Sequence, residues 1–198
     1  MKNIKDFILH KINEEKQTPK GFYKAIVKAS DFNELYEKTL RKYHINDEEF
    51  EDLMYIIHSD SHVASDDLKR TVNKFIKNNK IGEVPKIPLY RGCSDKEYND
   101  IISKHISPVD VMSFSEDQNI AKKFGNNVIE IISDLPLFCY HKFLGGYLTA
   151  MEQVDYDEFD GEDGEYLRNS AYEEAEWLCP NNYKFEEISK NKFKLTTE

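Results

Sequence analysis

The chain has no run of about 18 apolar residues, so no segment is a candidate for a membrane-spanning helix. Its opening, MKNIKDFILHKINEEK, is charged throughout and lacks the apolar stretch of a secretory leader. Cysteine is scarce. Cys93, Cys139 and Cys179 are odd in number and far apart, which argues against a disulfide framework and fits a reducing cytoplasm, with all three read as buried thiols. Neither an internal repeat nor a low-complexity linker is present. Positive charge is in deficit: 27 Lys and Arg against 37 Asp and Glu give a formal net charge of -10, which disfavours broad, non-specific duplex binding.

What is there suits one folded domain, or one domain with a helical extension. The 198 residues are 39 % hydrophobic and 13 % aromatic, enough for a packed core. Acid is in excess mainly after residue 150, a bias that favours a basic acceptor surface near that part or serves solubility alone. Residues 1–80 read as a helical region. Ile4, Phe7, Ile8 and Ile12 keep helical spacing. Ser30 is a candidate cap before Leu35, Tyr36 and Leu40. Phe50, Leu53, Met54 and Ile57 mark a third helix. Leu68, Val72, Phe75 and Ile76, preceded by Ser65, mark a fourth. Residues 81–198 read as a core of short strands, compact with those helices. KIPLYRG, ending at Gly92, and VIEII at 128–132 are strand candidates. Between them, Ser115 and Gln118 have capping-box spacing, Ile120, Ala121 and Phe124 follow, and Gly125 stands where a helix stops. The acidic segment 152–168 fails every calcium-loop register and reads as a mobile loop. AYEEAEWL reads as a strand, with a last strand near Phe193 to Leu195. His58 and His62 share a helical spacing, but no third ligand accompanies them and no metal is expected.

Three short elements could carry chemistry: LYRG at 89–92, MSFS at 112–115 and EAEW at 174–177. On a strand, Glu174 and Glu176 would project from one face about 6.5–7 Å apart. Arg91 closes an otherwise apolar strand, where a guanidinium can clamp a pyrophosphate. Ser113 and Ser115 would share a face. If Ser115 is used in capping, Ser113 is left to hold a carboxylate. Each element has a bland alternative: an exposed acidic face, a structural ion pair, ordinary turn chemistry.

Taken in order, the three resemble the arginine–serine–glutamate class of mono-ADP-ribosyltransferases. EAEWLCP, the length and the helical start leading into LYRG are similar to the small Mod-type enzymes of T-even-like bacteriophages, over roughly residues 45–190. Phe114 departs from that pattern, standing where the wider family carries Thr or another small residue. The resemblance implies an α+β fold: two packed, mostly antiparallel sheets around an NAD cleft, with the helical region on the N-terminal side. It implies NAD as co-substrate, no metal, and transfer of ADP-ribose to an acceptor, by default an arginine of a host protein. In those terms Arg91 holds the pyrophosphate and the Gly92 backbone fixes the nicotinamide amide. Phe124 lines the nicotinamide pocket, or else is simply a core residue of its helix. Glu176 binds the ribose 2'-hydroxyl and stabilises the developing cation, Ser113 orients Glu176, and Glu174 meets the acceptor. A monomer acting in the host cytoplasm during phage infection is expected, on proteins of transcription or translation or on RNA-associated targets. Two other readings remain open: an NAD glycohydrolase of the same fold, for which Glu174 is dispensable, and a non-catalytic binding protein that kept the scaffold.

Overall fold

The structure is a computed structural model describing residues 29–58, 66–78, 82–107, 111–154, 161–180 and 182–197. The helix expected from Ile4 to Ile12, Ser65, His62 and part of the acidic segment lie outside the described residues. Among the described residues, three helices come first: α1 (Phe32–Tyr43), α2 (Asp47–His58) and α3 (Asp66–Asn78). They lead into β1 (Gly82–Glu83), β2 (Leu89–Cys93), α4 (Asp95–Lys104), β3 (Val111–Ser115), α5 (Gln118–Phe124) and β4 (Asn127–Ser133). The chain continues through β5 (Leu137–Cys139), α6 (Tyr140–Val154), α7 (Gly161–Glu174), β6 (Glu176–Pro180), β7 (Tyr183–Ser189) and β8 (Lys192–Thr197).

The helical half forms where apolar residues recur every three or four positions. Leu35 and Tyr43 of α1, Phe50 and Leu53 of α2, and Val72 and Phe75 of α3 are buried in one cluster. That cluster also takes in Phe138 of β5, Phe143 and Tyr147 of α6, and Leu178 of β6, so the helices are packed on the sheet. Ring pairs such as Phe75–Phe138, with centroids 4.8 Å apart, make the contact. The cap of α1 falls on Asp31, whose carboxylate accepts the Glu34 N–H at 2.8 Å. Ser30, the residue expected there, instead donates to the Glu34 carboxylate at 2.8 Å.

The strands form one curled eight-stranded sheet in the order β1-β5-β6-β3-β2-β4-β8-β7. All the pairings are antiparallel except β4 with β8. The two separate sheets of the expectation are thus formally one, but barely so. β2 and β3 are joined by the single ladder pair Tyr90↔Ser115, whereas β2 and β4 pair along the whole of Leu89–Cys93. On either side of that junction lie four strands. Met112 and Phe114 of β3, Trp177 and Cys179 of β6, and Leu137 and Cys139 of β5 come from one half. They share a core with Leu89 of β2, Ile129 and Ile131 of β4, and Phe193 and Leu195 of β8 from the other half. The sheet curls because both halves bury their inner face in the same cluster.

Several local expectations are corrected. The acidic segment read as a mobile loop over 152–168 contributes α6 up to Val154 and α7 from Gly161. AYEEAEWL is not one strand: α7 runs through Glu174, and β6 begins at Glu176. Arg168 and Ala171 are both buried at helical spacing, and Arg168 pairs with Glu152 of α6. Burial at that spacing is helical, and it overrides the alternation read from the sequence. The cap of α5 is Asp117, whose carboxylate accepts the Asn119 N–H at 2.7 Å. Ser115 instead ends β3 and accepts the Asp117 N–H at 3.0 Å. Gly125 does follow α5, in extended conformation (φ -179°). Its need for a glycine is one of space: a β-carbon there would stand 2.4 Å from the Cys93 carbonyl oxygen.

Gly92 has the same origin. A β-carbon on it would stand 2.0 Å from the Ala121 carbonyl oxygen and 2.7 Å from the Gly125 nitrogen. α5 thus lies directly on β2. Gly92→Ala is expected to destabilise the fold by about 3 kcal/mol, the upper range for overpacking. Urea unfolding checks this; an unchanged midpoint would show that α5 is free to back away.

Candidate active site

The central strands bring Arg91, Ser113 and Glu176 together. β3 and β6 pair with Ser113↔Leu178 and Ser115↔Glu176 in register, so Ser113 and Glu176 share a face as diagonal neighbours. Arg91, on the other side of the junction, reaches across from β2. Its Nη1 donates to the Ser113 carbonyl at 2.9 Å and to the Ser113 hydroxyl at 3.2 Å. Its Nε donates to the Glu97 carboxylate at 2.7 Å, an ion pair with both side chains largely buried. The Ser113 hydroxyl in turn stands near enough to the Glu176 carboxylate to favour its charged form. One hydroxyl therefore accepts from a guanidinium and faces a carboxylate. Arg91 was expected to present its fork to a phosphate, but in this geometry Nε and Nη1 are engaged within the protein, and its first effect is to fix Ser113.

Burial pushes the Glu176 carboxyl up to about 7. The Ser113 hydroxyl and the Arg91 charge pull it down, while Glu174 raises it further. Glu174 lies close enough to be felt by Glu176, but it does not share its strand. It is the last residue of α7, exposed, with its carboxyl raised by desolvation against the opposing charge of Lys123. Ala175 joins the two elements in left-handed conformation, φ 44°. The paired acids thus arrive from a helix end and a strand start. Beside them opens a cavity of about 660 Å³, lined by Tyr90, Glu116, Asp117, Gln118, Ile120, Glu173 and Ala175. Glu176 stands one residue behind that wall.

Phe124 and Gly92 lie around the far end of β2. Phe124 is 63 % exposed, so it is not a core residue of α5. It lines a second cavity of about 390 Å³ with Cys93, Ser94, Asp95, Lys122, Lys123 and Gly125. Gly92 is buried beneath α5, and packing alone accounts for its missing side chain. The three cysteines are free and buried.

Glu116, His141 and Trp177 also belong to this region, and none was read from the sequence. The Trp177 indole N–H donates to Glu116 at 2.8 Å. The His141 Nδ1 lies 3.2 Å from the Glu176 carbonyl oxygen and its Nε2 3.8 Å from Glu116. Burial holds His141 below its ordinary value, so the neutral ring donates from Nδ1 to that carbonyl. Trp177 directly follows Glu176, which is the one sequence signal that pointed here. His141 carried none, being separated from the motifs by 35 positions from Glu176.

No family model, no curated protein and no solved structure matches the chain. What the site can do rests on its own chemistry: a desolvated carboxylate, a hydroxyl that holds it, a cation bracing the hydroxyl, and a polar cavity alongside. No helix among the described residues is long and apolar enough to cross a membrane.

The left-handed Ala175 is strained, since a β-carbon disfavours that conformation by roughly 1 kcal/mol. Ala175→Gly is expected to stabilise the protein by a similar amount, seen as a raised Tm in thermal unfolding. A lowered Tm would show that the methyl group contributes more by packing than it costs in backbone strain.

Proposed function

We propose that the protein is a mono-ADP-ribosyltransferase of the arginine–serine–glutamate class, which cleaves NAD and moves ADP-ribose onto an acceptor, by default an arginine of a host protein. The observation that carries this reading is the Ser113 hydroxyl, which accepts from the Arg91 guanidinium and faces the buried Glu176 carboxylate, favouring its charged form. That triplet is what the chemistry asks for: one anion held rigidly in a desolvated place, beside room for a substrate.

In this proposal Glu176, ionised, accepts a hydrogen bond from the ribose 2'-hydroxyl. It stabilises the positive charge that builds on the sugar as the bond to nicotinamide breaks, its electron pair leaving with the nicotinamide ring. Glu174, at the end of α7, steadies an incoming guanidinium, whose nitrogen forms the new bond to the sugar and whose proton passes to solvent or to Glu174. Glu173 on the neighbouring wall keeps the cavity negative, which suits a cationic acceptor. The diphosphate of NAD needs positive charge. The second cavity offers Lys122 and Lys123 beside the start of α4, where backbone N–H groups gather, and the exposed Phe124 gives a flat apolar face for a ring. These features support the NAD reading.

Glu176→Gln is expected to lower NAD cleavage and transfer alike by at least ~100-fold. Glu174→Gln is expected to abolish transfer and leave hydrolysis measurable. Incubating the protein with labelled NAD and a bacterial lysate separates macromolecule-bound label from free ADP-ribose. Wild-type transfer by both variants would refute the assignment. Free ADP-ribose alone from the wild-type protein would favour the glycohydrolase.

Because the carboxylate must be charged to act, and burial raises it to about 7, kcat/KM for NAD should climb with pH through about 7 and level off above. The stability effect has the opposite sign. A folded-state value above the unfolded one contributes stability below the unfolded value, which is lost as pH rises through about 7. Glu176→Gln is therefore expected to raise Tm relative to wild type at pH ~8 and to change it little at pH ~4. An equal difference at both would mean that the carboxyl titrates normally.

A further inference from the structure

Glu176 is flanked in the chain by Ala175 and Trp177, and Glu116 holds both of them. Its backbone N–H donates to the Ala175 carbonyl at 3.3 Å. Its carboxylate accepts the Trp177 indole N–H at 2.8 Å. His141 takes the remaining position, 3.2 Å from the carbonyl oxygen of Glu176 itself. Three successive residues are thus fixed from outside their own strand, at the place where the backbone turns through a left-handed residue into β6. Strain of that kind persists only where surrounding contacts over-determine it.

We propose that Glu116 is a positioning residue for Glu176, clasping the residues on either side of it so that its carboxylate stays against Ser113. Trp177 is nearly fully buried, with its ring 6.1 Å from that of His141 and under the Lys142 ammonium at 5.6 Å, so the clasp is anchored in the core rather than at the surface. Lys142 is itself tied to Glu83 of β1 at 2.7 Å, which extends the anchorage to the sheet edge. What the clasp requires of Glu116 is an acceptor atom rather than a negative charge. Gln in its place keeps the acceptor, Ala removes it, and Phe at Trp177 removes the donor.

The inference deepens the transferase reading and rests on it for its kinetic arm alone. The test follows the carboxyl of Glu176 by carbon NMR across a pH titration, its signal assigned by its loss in Glu176→Gln. Ser113 on β3, Arg91 on β2, Glu174 on α7 and His141 on α6 surround this group, and all are unchanged in the variants. Glu116→Ala and Trp177→Phe should each move the Glu176 midpoint down by about half a unit or more, toward the ordinary range, as water gains access. Glu116→Gln should match wild type. The double variant Glu116→Ala with Trp177→Phe should move it no further than either single change. In the kinetic arm, kcat for NAD cleavage should fall about ten- to a hundredfold in the Ala and Phe variants, with KM little changed, and recover in Gln. The clasp is overturned if the midpoint stays put in Glu116→Ala and Trp177→Phe, or if Glu116→Gln shifts it as far as Ala does. A wild-type protein that cleaves no NAD overturns the transferase reading instead, and the titration still decides on the clasp. Should Glu116→Ala fail to fold, Trp177→Phe and Glu116→Gln carry the same comparison.

Discussion

Arg91 spans the weakest seam in the sheet, and the site exists because it does. β2 and β3 are neighbours by a single ladder pair, Tyr90↔Ser115, so the backbone alone does little to hold the two halves in register there. The guanidinium supplies what the ladder omits. From β2 it donates to both the carbonyl and the hydroxyl of Ser113 on β3. Its charge, largely withdrawn from water, is balanced by Glu97 on α4. A buried cation is tolerated only when so paired. Where the ladder stops, this bridge ties the two halves to each other. Ser113 and Glu176 are neighbours through the β3–β6 ladder, and the cation adds the tie from β2 that the seam otherwise lacks.

Around that bridge the electrostatics are in tension. Desolvation favours the protonated form of Glu176, and the neighbouring Glu174 adds to that. The Ser113 hydroxyl and the Arg91 charge oppose it and bring the balance to about 7. A more exposed carboxylate would be ionised at all working pH values, but weakened by water as a stabiliser of positive charge. One more deeply buried without Arg91 and Ser113 would be neutral and useless for that purpose. The value near neutrality is the consequence of placing a charge where it interacts strongly and compensating it only in part.

The sequence made legible those features that depend on local periodicity or on residue types in a fixed order. The stripes Phe50–Leu53–Met54–Ile57 and Leu68–Val72–Phe75–Ile76 fall on α2 and α3, and LYRG, VIEII and the Phe193 region fall on β2, β4 and β8. The convergence of Arg91, Ser113 and Glu176 was expected from the family resemblance that the order of three motifs carries. What was missed lacks a local signal. α6 is buried on nearly every side and contains Gly145 and Gly146, so it shows neither an amphipathic stripe nor helix-favouring composition. α4 and β7 also went unread. The glycine at 92, read as a ligand contact, has a packing cause that only the position of α5 reveals. Glu116 and His141 come near Glu176 only because β3 pairs with β6 and α6 packs behind, and both are consequences of topology rather than of sequence proximity.

The misread strand around EAEW carries the most meaning for the site. Two acids on one strand would be held at a constant separation by the pleat, and both would move only with the sheet. Here Ala175 breaks the element between them. Glu176 belongs to β6 and shares the rigidity of a strand paired on both sides, with β3 and with β5. Glu174 belongs to α7, whose position is set by the buried Arg168–Glu152 pair to α6 and by Ala171 in the helical core. The two carboxylates are therefore referenced to different bodies of the protein. In the proposed transferase, a fixed acid would serve a reacting centre that must not shift, and an acid on a helix end would follow an acceptor that arrives in varied poses. Such a division of labour needs a turn between the two that neither helix nor strand can absorb, and a left-handed residue flanked by hydrogen bonds to Glu116 and His141 meets that requirement.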